Sequence, residues 1–147
     1  MTNRPAPTLD RFPFTNETDI RHSDTDRLGH VNNVAFAAFL EFGRAAMLHE
    51  LVRATPNPGH IFVIVRLEID YRAEMRWPGK VAVGVGIERI GTASFSVVQG
   101  LYNDGVLTAE ARSVLVMMNE TTRKSAPLTP ALVAALGRLK YLASDDA

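Results

Sequence analysis

No cysteine occurs among the 147 residues. Disulfide staples, thiolate metal sites and a cysteine nucleophile are therefore excluded. An excess of charge of either sign is also missing, because sixteen basic and sixteen acidic side chains cancel. A neutral chain has no global field to draw in nucleic acid or an anionic membrane. No apolar run approaches the length of a membrane span. The opening residues, MTNRPAPTLDRF, lack the apolar region of a secretory signal. The expected setting is therefore cytoplasmic, with neither nucleic acid nor membrane as partner. What remains, 46% apolar and 22% charged residues, is the composition of an ordinary globular chain, long enough to bury one core without staples.

The chain reads as a single domain, 1–147, with residues 1–11 and 143–147 as flexible ends. A short extended segment is expected at 17–22, followed by a loop over 23–32. From Asn33 to about Arg53 the pattern is helical, with Asn32 as the N-cap and Thr55, Pro56, Asn57, Pro58 and Gly59 as the stop. The period then changes. Val65, Leu67, Ile69 and Tyr71 alternate with Arg66, Glu68, Asp70 and Arg72, which predicts a half-buried strand. Pro78-Gly79 marks a turn. Val81, Val83, Val85 and Ile87 alternate with small residues that leave a flat strip for close approach. Asn103-Asp104-Gly105 is a hairpin signal between strands at 93–102 and 106–118. Thr129-Pro130 opens a terminal helix to about Leu142. Strands joined by tight turns are antiparallel. One sheet wrapped round one long helix is then the simplest α+β solution.

That helix carries Val34, Ala35, Phe36, Ala37, Ala38, Phe39 and Leu40 in succession. With no polar face for two turns it is expected to be buried all round. Glu41 and Arg44 follow on neighbouring positions of one face. Buried charges are usually paired, so an ion pair between them, or across a subunit contact, is the first expectation. A catalytic Glu41 is the second.

The loop D-T-D-R-L-G-H-V-N-N, Asp24 to Asn33, precedes the helix directly. Three chemistries fit it. As a calcium loop it fails at Leu28 and Ala35, where oxygen ligands belong, and a His22/Asp24/Asp26/His30 cluster matches no defined metal spacing. As plain structure, Asp, Asn and His side chains would bond backbone amides and cap the helix. As a reaction centre, a carboxylate would attack a carbonyl or deprotonate water, with His30 orienting it. The free N–H groups near Asn33 and Val34 would hold the developing oxyanion.

The same loop, with F-L-E-F-G-R at Phe39–Arg44, I-D-Y at Ile69–Tyr71 before Pro78-Gly79, and V-M-M-N-E before Pro127, resembles the 4-hydroxybenzoyl-CoA thioesterase-like family of hotdog-fold acyl-CoA thioesterases. The resemblance runs from about Thr18 to Leu132, and G-H-V-N-N is most similar to the fatty acyl-CoA branch. It implies a hotdog fold, an antiparallel five-stranded sheet around a central helix, and hydrolysis of an acyl-CoA thioester without metal or bound cofactor. Asp26, the second aspartate of D-x-D, becomes the catalytic carboxylate, with His30 and the amide at Asn33 beside it. Asn32, Phe36, Ile61, Val63 and Val65 become substrate-binding positions. Two subunits would pair their sheets edge to edge as a homodimer or homotetramer, with the strand from about Ile61 to Glu68 lining the partner's site. Phe36 stands where the family often has Tyr, which implies a preference for apolar acyl groups. The competing readings are a non-catalytic acyl-CoA binder, using the same pocket without chemistry, and a hotdog hydratase or dehydratase, whose His- and Pro-containing signature is absent.

Overall fold

The computed structural model describes residues 6–143. The chain runs through β1 (Phe14–Ile20), α1 (Asn33–Ala54), β2 (His60–Tyr71), β3 (Gly79–Ile90), β4 (Ser94–Asn103), β5 (Val106–Asn119) and α2 (Pro130–Gly137). The strands form one antiparallel sheet in the order β1-β3-β4-β5-β2. The hairpin between β4 and β5 turns at Asp104 and Gly105, with φ of 50° and 75°, the left-handed pair that matches strand twist. Helix α1 lies across β3 and is flanked by β1 and β4. Val81, Val83, Val85 and Ile87 are fully buried on β3, and Gly43 of α1 faces Val83 and Val85. This is the expected hotdog arrangement.

Phe12 and Tyr141, near the two ends of the described residues, close over the opposite face of β3. The strip of small residues there is used as expected: Gly84 lies against the Phe12 ring and Gly86 against Tyr141. Residues 9–11 form a 3-10 turn, and the Tyr102 hydroxyl donates to Pro7 O at 2.6 Å. The described part of the 1–11 segment, 6–11, is thus docked on the sheet rather than loose. The expected flexibility of residues 1–5 and 144–147 lies outside the described residues.

Four expectations are corrected. The first strand is Phe14–Ile20 rather than 17–22, and His22–Asp24 is a 3-10 turn closed by the Asp24 carboxylate. Helix α2 stops at Gly137 rather than near Leu142; Leu139–Tyr141 instead joins β3, with Ile87 N donating to Leu139 O and Tyr141 N to Ile87 O. The β3–β4 ladder shifts register between Ile87 and Arg89, beside that junction. On β2 a bulge between Ile64 and Arg66 breaks the alternation. Val65 is therefore out of step with Leu67, Ile69 and Tyr71, and is 61% exposed. Finally, α1 is not buried all round. A single sheet covers one side of it, and Val34, Phe42 and Val52 remain 71%, 41% and 45% exposed along the other.

Candidate active site

The loop before α1 folds as a small hairpin on its own backbone. Asp26 N donates to His30 O at 2.8 Å, Asn32 N donates to Asp24 O at 2.8 Å, and Thr25 opposes Val31. The tip needs Gly29, whose φ of +79° is costly for any residue with a Cβ. A second strand-like contact, Val31 N to Met75 O at 2.8 Å with His30 opposite Arg76, ties this hairpin to the segment entering β3.

The two aspartates have separate roles. Asp24 is buried; its oxygens accept from Arg21 N at 2.7 Å and Arg21 Nη2 at 3.1 Å. That is a structural carboxylate. Asp26 is exposed. Its Oδ1 accepts from Leu28 N at 2.8 Å and His30 N at 3.2 Å, which fixes the side chain, while Oδ2 has no partner among the described residues. One oxygen is held and the other is available.

The helix start is equally divided. Asn32 Oδ1 accepts from Val34 N at 2.9 Å, as an N-cap does. Ala35 N and Phe36 N donate to Asn32 O. The Asn33 N–H is left with no acceptor among the described residues. It is the one first-turn amide available to an incoming oxygen. Tyr71, at the end of β2, donates to Asn33 O at 3.1 Å and meets the Phe36 ring edge-on at 5.1 Å. Sequence reasoning missed this role of Tyr71, since nothing local links positions 33 and 71.

His30 turns away from Asp26. Its Nε2 lies 2.6 Å from Arg76 Nη2 and 3.1 Å from Glu74 Oε2. One ring nitrogen does not serve both at once: its lone pair accepts from Arg76, or its proton is given to Glu74. Sequence reasoning gave no sign of Glu74, and offered Arg76 only as one of several basic side chains available to CoA phosphates, not as a partner of His30. His22 packs edge-on against Trp77, so His22, Asp24, Asp26 and His30 face four different surroundings. No group of three potential metal ligands converges among the described residues.

Ile61, Val63 and Val65 do not meet Asp26 within one chain. Ile61 shares a small hollow with Val52, Thr55 and Asn57 at the far end of α1. A concavity of about 490 Å³ is lined by residues such as Pro7, Lys80, Tyr102 and Leu107 and includes none of the loop. In the single chain Asp26, Asn33 and Val65 are exposed, whereas Phe36 is buried. Glu41 is exposed and forms no ion pair with Arg44, which corrects the expected pair within the helix; a pair across a subunit contact is not tested by one chain. Arg44 reaches Gln99 instead, and burial lowers its pKa, an effect the charge of Glu41 partly opposes.

A carboxylate loop leading into the N-terminus of a helix held in an antiparallel sheet defines a hotdog protein of the thioesterase type. Residues 20–136 match the Thioesterase-like superfamily, and the chain belongs to that family. It is similar to a predicted thioesterase from Bacillus stearothermophilus, with 31% identity, 87% of this chain and 96% of that one covered, and a TM-score of 0.81. It is also similar to a thioesterase from Thermus thermophilus complexed with coenzyme A and Zn, with 30% identity, 89% and 96% covered, and a TM-score of 0.77. The uncharacterized protein YsmA of Bacillus subtilis (strain 168) is 26% identical over 86 residues, a match spanning 58% of either chain. No helix among the described residues is long and apolar enough to cross a membrane.

Proposed function

We propose that the protein hydrolyses an acyl-CoA thioester to a free acid and CoA. The observation that carries this reading is the unoccupied Asn33 N–H at the start of α1, left over after Asn32 has capped Val34. That amide receives the thioester oxygen and stabilises the oxyanion as it forms. Asp26 acts through Oδ2, either taking a proton from the attacking water or attacking the carbonyl carbon itself. In both routes the tetrahedral adduct collapses by breaking the C–S bond and expelling the CoA thiolate. In the second route water then releases the acyl group from Asp26. The coenzyme A in the Thermus relative supports the carrier.

A second copy completes the site in this reading. Strand β2 ends the sheet with one side unpaired, and Ile64, Val65 and Leu67 on it are exposed. Pairing there would cover the apolar edge and place Ile61, Val63 and Val65 against the partner's loop. Thiol release from a panel of acyl-CoAs tests the activity. Asp26→Asn should reduce kcat by at least a hundredfold with an unchanged melting temperature. Full activity in that variant would overturn the assignment.

A further inference from the structure

Arg44 is a poorly matched charge in the interior. It is 6% exposed, yet its single hydrogen bond is Nη1 to Gln99 Oε1 at a long 3.3 Å. No carboxylate lies within ion-pair distance of it among the described residues. A guanidinium has five N–H donors, so most of its capacity is unused. Its Nε and Nη2 are not sealed: the sealed, unpartnered side-chain atoms among the described residues are Asn16 Oδ1 and Ser113 Oγ. The unused donors of Arg44 therefore keep some exposure.

Ser113 adds a second unmet donor on the same side. It is 1% exposed. Gln99 of β4 opposes Ala111 and Val97 opposes Ser113, so Ser113 is the diagonal same-face neighbour of Gln99 on β5. Arg44 leans toward β4, the flank of α1 that looks toward β5 and β2. Asn33 and Arg44 are eleven residues apart and so share a face of the helix. Tyr71 of β2 touches the helix start. Gln99 Nε2 donates to Leu40 O at 2.8 Å, which anchors the Arg44–Gln99 pair beside Leu40. Along the axis that is about 10 Å from Asn33.

We infer that Arg44 receives the far end of the acyl group, and that this end carries a carboxylate; the substrate class is an ω-carboxyacyl thioester. The inference rests on the thioesterase reading. A carboxylate supplies both what the planar fork accepts and the charge that a buried cation lacks. An apolar acyl end supplies neither. A carboxylate from a second copy of the chain is the rival source.

The test uses thioether analogues, which bind without being cleaved. Straight-chain and ω-carboxyl CoA thioethers of equal length, from four to eight carbons, are titrated calorimetrically into the full chain, and thiol release from the matching thioesters is followed separately. At one length the wild type should bind the carboxylated analogue about tenfold or more tightly than its methyl-ended counterpart. Arg44→Met should remove that preference and Arg44→Lys should keep part of it. Circular dichroism checks folding; should Arg44→Met not fold, Arg44→Lys decides, and a preference as large as that of the wild type would then sink the proposal. Equal wild-type affinities at every length, or a preference that survives Arg44→Met, would sink the proposal. So would loss of self-association in Arg44→Met without any wild-type preference, which assigns the acceptor to a second copy. Preferential thioether binding with no thiol release would instead refute the thioesterase reading and leave the site standing.

Discussion

The phenol of Tyr71 donates to the carbonyl of Asn33 across 3.1 Å, and its ring meets Phe36 edge-on at 5.1 Å. The last residue of β2 is thereby fastened to the first turn of α1. The strand that ends the sheet and the Asn33 peptide become one unit.

Tyr71→Phe keeps the ring contact and loses the hydrogen bond, so it should lower unfolding free energy by about 0.5–1 kcal/mol. Tyr71→Ala loses both and should cost roughly 1–2 kcal/mol. Urea denaturation of the three proteins gives the ranking. Indistinguishable midpoints would show that the contact contributes nothing.

A Cβ at Gly43 would overlap Val83 Cγ1 and lie 3.0 Å from Val83 Cβ and 3.2 Å from Val85 Cγ2. Gly43→Ala gains about 1 kcal/mol of helix propensity, but overpacking costs about 1–3 kcal/mol. Since α1 and β3 form the centre of the core, the clash should win. The variant is expected to melt at lower temperature than wild type. A higher melting temperature would mean that the helix can lift off β3 without penalty.

Burial pushes the Tyr102 hydroxyl well above its ordinary value of 10.0, with Tyr141, Glu110 and Asp10 adding to the shift. The fold favours the neutral phenol. Stability from this group is therefore fully present below about pH 10 and is lost as pH rises above it toward the folded-state value. Between about pH 8 and pH 11, wild type should lose more unfolding free energy than Tyr102→Phe. Parallel losses in the two proteins would refute the linkage.

Much of this was legible because it was local. The cap at Asn32, the start of α1 at Asn33 and the Asp104-Gly105 turn each follow from a few adjacent residues. The inward row of β3 follows from period-two spacing. What the sequence did not show depends on distance or on a single insertion. The β2 bulge at Val65 leaves no mark because it closes the run Ile61–Val65, which is apolar on both faces. The company of His30, namely Glu74 and Arg76, comes from a segment more than forty residues away. Arg44 has a carboxylate three residues before it, yet turns to Gln99 on β4 because its face of the helix points into the sheet.

The rings of Phe12 and Tyr141 lie 5.0 Å apart, the Phe12 ring against Gly84 and the Cα and Cβ of Tyr141 against Gly86. These residues are separated by nearly the whole described chain, so the outer skin of the sheet is sewn from its two extremes. During synthesis the helix and all five strands emerge while Phe12 still lacks its counterpart. The weatherproof side of the molecule is thus the last to be finished, and Gly86 waits for Tyr141 after Gly84 already has Phe12.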